Sequence, residues 1–212
     1  RALEFQTMTC PRDGGNFKLE ARAVLRLPPN VPILAVIEQL APGKGHAVLL
    51  NALLRLKNHF KNVLLLVVGG GVMRAQLENQ VETLGLRENV QFIGFRSDIS
   101  TILRASDLLI HPVLQEWAAN VGLQAMASGI PVVTTNLGGM PEIVQHELTG
   151  LIVHPGDSEA MAHAVASLLS NPVKCSVMGH LGQVIVRERF SIEKMVASNF
   201  ALYQKTLASR PS

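Results

Sequence analysis

PILAVIEQLAPGKGHAVLLNALLRLKNHFKNVLLLVVGGG, residues 32–71, decides the fold of this 212-residue chain. It holds two apolar runs, PILAVI (32–37) and VLLLVV (63–68), that do not alternate with polar residues. Such runs suit strands buried on both faces. Between them a turn with Pro42, Gly43 and Gly45 leads into a helically spaced stretch near 46–59. Strand, helix and strand in that order make a right-handed crossover between parallel strands. The same alternation runs on: a helix near 71–84, then VQFI (90–93), DLLIH (107–111), PVVTT (131–135) and LIV (151–153), each separated by helical pattern. The expected fold class is α/β, a parallel sheet with helices on both faces.

Outward from this centre, residues 1–31 read as a linker or lead-in. RALEFQTMTCPRDGGNF shows no clean period, and KLEARAVLRL (18–27) makes one short helix before Pro28-Pro29-Asn30 stops it. Residues 32–172 form the sheet domain, and 173–212 are closing helices that pack back on it. Asp157 and Ser191 stand as N-caps in this helical tail. Hydrophobic residues make up 48% of the chain, which excludes a disordered or fibrous protein. The net charge of +3, from 19 Lys+Arg against 16 Asp+Glu, contains no basic run and suits a small anionic ligand rather than nucleic acid. Cys10 and Cys175 are too far apart for a metal knuckle or redox pair and point to a reducing compartment. The seven histidines (46, 59, 111, 146, 154, 163, 180) show no paired i, i+3 or i, i+4 spacing, so no metal site is expected. No apolar stretch reaches the roughly 20 residues of a membrane span. The chain opens on Arg1 rather than Met, and the expectation is a piece of a longer protein.

Ligands of open parallel sheets bind at the carboxyl ends of the strands. After the first strand comes Glu38-Gln39-Leu40-Ala41-Pro42-Gly43-Lys44-Gly45, a lysine between glycines at a helix entry, suited to a phosphate, although a solvated lysine on a surface turn is the simpler reading of this loop alone. After the second comes Gly69-Gly70-Gly71-Val72-Met73-Arg74, where Arg74 breaks a dinucleotide fingerprint but the glycines permit close approach of a ligand. After the third, Gly94-Phe95-Arg96-Ser97-Asp98 offers backbone groups and a guanidinium, with Asp98 or Ser97 capping the next helix. His111 ends the fourth strand at the ligand edge, although a structural role is the simpler reading. Beyond it, Glu116 and Gln124 are eight residues apart, about 12 Å along a continuous helix. They converge on one ligand only if Glu116 lies in a loop and the helix starts near 118–120. Its first amides then face an anion. Thr135-Asn136-Leu137-Gly138-Gly139-Met140-Pro141-Glu142 signals a further helix start. No Ser or Cys sits on a G-x-S-x-G elbow, so hydrolase chemistry has no support.

Taken in order, QLAPGKGH, LLLVVGGGVMRAQLE, VQFIGFRSDI, ASDLLIHP, EWAANVGLQAMASGIPVVTTNLGGMPEIV and TGLIVHPGD resemble the retaining glycosyltransferases of family 4 (group 1). The resemblance runs from about residue 20 to 207. It implies the Rossmann-like, carboxyl-terminal half of a GT-B fold, which binds a nucleoside diphosphate sugar (NDP-sugar) against an amino-terminal, acceptor-binding domain. It further implies that Lys44, from the R-x-x-x-x-K-G loop, faces the donor diphosphate, and that Glu116, first of an E-x7-E pair, contacts the donor sugar. Both are the expected catalytic residues. Gln124 falls on the second glutamate, toward the ribose. Amides of Ala119, Asn120 and Val121 support the phosphate and sugar, the backbone at Arg96 meets the base, and Gly70 lines the donor site. No metal or other cofactor is implied. A glycan or lipid-linked acceptor is implied, with a cytoplasmic location, peripheral membrane association at the inner face, and no activity for this domain alone.

Two departures alter the site. Gln39 stands where the family carries arginine, removing one of two cations expected at the diphosphate. Gln124 replaces a carboxylate. The expectation is a donor site present in outline but changed in affinity or donor choice, the rival being a non-catalytic binding or assembly module whose donor site has decayed.

Overall fold

The computed structural model describes residues 16–115 and 120–208. Residues 1–15 with Cys10, residues 116–119 and residues 209–212 lie outside that description. Six strands form at the six apolar runs: β1 (Ile33–Ile37), β2 (Leu64–Val68), β3 (Val90–Gly94), β4 (Leu108–His111), β5 (Val132–Thr135) and β6 (Gly150–Val153). Every pairing between them is parallel. The spatial order is β3-β2-β1-β4-β5-β6, a Rossmann-like doubly wound sheet. The helices among the described residues are α1 (Asn16–Val24), α2 (His46–Lys57), α3 (Arg74–Thr83), α4 (Ile99–Ala105), α5 (Asn120–Ala127), α6 (Met140–Ile143), α7 (Ser158–Leu169), α8 (Pro172–Arg189) and α9 (Ile192–Ala208). None is long and apolar enough to cross a membrane.

The unbroken apolar runs become two cores because successive strand side chains point to opposite faces. Leu34, Val36, Leu65, Val67, Leu108 and Ile110 turn toward α2, α3 and α7. Ile33, Ala35, Leu66, Val68 and Leu109 turn toward α1, α4, α5 and α6 on the other face. Burying one such side chain contributes about 1.5–3 kcal/mol relative to leaving it exposed. The helix starts follow local chemistry: the Ala160 amide donates to Asp157 Oδ1 at 2.8 Å, and the Lys194 amide to Ser191 Oγ at 3.3 Å.

The helix within the lead-in, α1, docks on α4. Ala21 and Arg22 are buried there. Arg22 donates from Nε to the Ala105 carbonyl and from Nη2 to Asp107 Oδ2, both at 2.9 Å. Lys18 also pairs with Asp107, whose Oδ2 accepts the Ile33 amide at 2.6 Å. One carboxylate thus ties α1 to the entry ends of β1 and β4, at the edge opposite the strand exits.

Candidate functional site

The strand order reverses between β1 and β4. At such a switch point, ligands of open parallel sheets bind in a crevice beyond the strand ends. Backbone hydrogen bonds stitch its walls: the Leu114 amide to the Gly43 carbonyl (2.8 Å), the Leu40 amide to Gly70 (2.9 Å), and the Gly69 amide to Gly94 (2.8 Å). Two glycines make this closeness possible. Gly45, the N-cap of α2, has φ +75°, and a Cβ there would stand 1.7 Å from the Pro112 carbonyl oxygen. Gly69 has φ +139°, and a Cβ there would meet the Glu38 carbonyl oxygen at 2.1 Å.

At the floor of the crevice lies a cluster of polar side chains. Lys44 is only 4% exposed, and its Nζ stands 2.9 Å from Glu38 Oε1. The same oxygen accepts the Gln39 amide at 3.0 Å. His111, buried at the end of β4, has Nε2 3.7 Å from Glu38 Oε2 and Nδ1 3.4 Å from Thr134 Oγ1. Burial pushes the Glu38 carboxyl upward, but the His111 ring, the Lys44 ammonium and the Gln39 amide outweigh it and hold the value down at about 2. The carboxylate is therefore charged in any ordinary buffer. His46, the first residue of α2, is 5% exposed, and neither ring nitrogen has a hydrogen-bond partner. Burial lowers its pKa to about 4; the Glu38 charge opposes this and the Lys44 charge adds to it. Its ring is neutral near pH 7.

The family model described as "Glycosyl transferases group 1" matches residues 17–183. The chain belongs to this family. A D-inositol 3-phosphate glycosyltransferase from Segniliparus rotundus is 32% identical over 196 residues, 90% of this chain and 43% of that protein. A glycosyltransferase from Rickettsia africae superposes with a TM-score of 0.86 at 25% identity, covering 99% of this chain and 57% of that one. Anabaena Alr3699/HepE, crystallised in complex with UDP, gives 0.83 at 26% identity over 99% of this chain and 56% of that one. The chain spans about half the length of the curated relatives it matches. Its sheet is that of the GT-B glycosyltransferases.

Within this group 1 glycosyltransferase domain, Gln39 is exposed beside Glu38, and Gly70 is exposed with open space where a Cβ would stand. Gly70 thus differs from Gly69, which the backbone itself requires. Asn120 is exposed at the first position of α5; Val121 is half-buried against the core, and Gln124 is half-buried one turn on. Glu116 and Ala119 lie outside the described residues. The Arg96 guanidinium is engaged: Nε and Nη2 meet the two Asp98 carboxylate oxygens at 2.8 and 2.7 Å. This corrects one expectation. Asp98 sits at the N-cap of α4 but makes no side-chain capping bond, because Arg96 takes its carboxylate and holds it below the usual carboxylate range.

Arg74, which breaks the dinucleotide fingerprint, pairs with Glu78 at 2.8 Å and lies 5.8 Å from the Phe92 ring centre. No group of three or more His, Cys, Asp or Glu among the described residues could hold a metal ion. Sequence reasoning missed Glu38 and His46 as members of the cluster. The available signal was their position, one at the exit of β1 and one at the entry of α2.

Proposed function

We propose that this chain is the donor-binding domain of a retaining glycosyltransferase that moves a sugar from an NDP-sugar to a glycan or lipid-linked acceptor. The observation that carries the reading is the buried Lys44 ammonium at the crevice between β1 and β4, in a chain of the group 1 family. The UDP in the Anabaena structure supports the choice of ligand class. Breaking the anomeric C–O bond leaves a nucleoside diphosphate carrying additional negative charge. Lys44 and the first-turn amides of α5 are the groups assigned to receive it, while Glu116 positions the sugar. No step requires a metal. A charge-assisted hydrogen bond from Lys44 is worth about 1.5–3 kcal/mol, realised most fully as the leaving diphosphate gains charge. The acceptor site belongs to the further domain for which the longer relatives have room.

Isothermal titration of the 212-residue chain with UDP-, GDP- and ADP-sugars tests this. Binding to at least one of them, lost in Lys44→Ala and Glu116→Ala, is expected. Absence of binding to all of them overturns the reading.

A further inference from the structure

Glu38 has no part in the donor site described so far, yet it holds the central contact of the crevice floor. Its Oε1 accepts from two donors at once: the Lys44 ammonium at 2.9 Å and the Gln39 backbone amide at 3.0 Å. An ammonium and a main-chain N–H converging on one anionic oxygen, at a strand-to-helix turn, is the donor set a phosphoryl oxygen uses. The carboxylate also lies on the solvent side, since the Glu38 side chain is 16% exposed against 4% for Lys44. The carboxylate is the more solvent-accessible member of the pair.

The local charge count points the same way. Lys44 and Glu38 sum to zero, and Gln39 adds nothing where the family resemblance led us to expect a second cation. An anion beside the pair therefore meets the Glu38 charge directly, in a partly buried setting where screening by salt is weak. The backbone gives the carboxylate freedom to leave without carrying the turn along. The Glu38 amide is bonded to the Val68 carbonyl at 3.0 Å, and Gly69 packs against the Glu38 carbonyl. Rotation about the side-chain bonds of Glu38 takes its carboxylate away from both donors.

We propose that Glu38 is an internal anion that competes with the donor's diphosphate for Lys44 and the Gln39 amide, and so sets how tightly this domain holds its nucleotide. The inference rests on the donor-site reading above and assigns Glu38 as an affinity-determining residue. Its side chain is displaced when nucleotide binds, and its charge weakens binding until then.

The test is isothermal titration of the full chain with UDP, GDP and ADP, using wild type, Glu38→Gln, Lys44→Ala and the double variant. Glu38→Gln keeps the shape and removes the charge. It is expected to bind the preferred nucleotide at least about tenfold more tightly than wild type, a difference of about 1.4 kcal/mol. The gain should vanish in the double variant, since it acts through Lys44; loss of a merely structural contact would not tighten binding. Nucleotide binding that Glu38→Gln leaves unchanged or weakens overturns this inference and leaves the donor-site reading standing. No binding by any variant overturns both. Circular dichroism establishes that each variant is folded, and if Glu38→Gln is not, Glu38→Ala, which also removes the charge, is judged by the same direction of change.

Discussion

Replacing His46 by leucine removes one titrating group from an apolar pocket, and its effect is computable from the structure. The ring shares the lining of a small apolar cavity with Val36, Leu49, Leu50, Val67 and Phe92, and neither nitrogen finds a partner. Burial brings its pKa from 6.5 to about 4, with the Glu38 charge opposing and the Lys44 charge assisting. Because the folded value lies below the unfolded one, the unfolded chain takes up a proton that the native ring rejects. The associated stability is fully present above pH 6.5 and is lost as pH falls toward about 4. At 1.36 kcal/mol per unit the loss amounts to about 3 kcal/mol. Glu38 acts in a lower window: with its carboxyl held near 2 against 4.5, its contribution disappears only as pH falls below about 4.5.

Urea unfolding followed by circular dichroism, at several values from about pH 7 down to about pH 4.5, separates the two groups. Over that range the wild type should lose more than about 2 kcal/mol more than His46→Leu does. Near pH 7 the variant should match the wild type within about 1 kcal/mol or exceed it, because an unpartnered buried polar group gives way to an apolar one. A His46→Leu chain that loses stability between pH 7 and 4.5 as steeply as the wild type would refute the reasoning.

Two further substitutions probe the scaffold around the site. Gly69→Ala places a methyl group 2.1 Å from the Glu38 carbonyl oxygen at φ +139° and should cost more than about 2 kcal/mol. Gly70→Ala meets open space and should stay within about 0.5 kcal/mol; thermal melts of the two variants side by side check the contrast. Asp107→Ala leaves the 5%-exposed Arg22 side chain without its carboxylate and the Ile33 amide without its acceptor. A loss of about 3 kcal/mol is expected in urea titrations, with a smaller loss for Asp107→Asn, which keeps an acceptor.

The elements were legible because their signals are local. Each strand, four or five residues long, falls on one of the apolar runs, and Asp157 caps α7 through a bond spanning three residues. Arg96 and Asp98 show where such reading fails. An aspartate before a helix is a good cap, but an arginine two residues earlier offered a stronger, bidentate partner. The docking of α1 was equally out of reach, since it depends on Asp107, 85 positions beyond Arg22. Lys44 stood out only through the family resemblance, since a glycine-flanked lysine alone reads as a solvated surface turn. Glu38 and His111 could not be joined to it, because their meeting requires β1 and β4 to be neighbours.

The sequence by itself determined the α/β alternation, the six strands and the loops that carry the proposed donor-site residues, because periodicity and turn chemistry act over a few positions. Only the tertiary structure decided the strand order that seats the exit of β1 beside His111, 73 residues further along than Glu38. It also decided that Lys44 is buried against a carboxylate rather than presented to solvent. The physical reason is that electrostatics depends on distance and burial, and neither is a property of position along the chain.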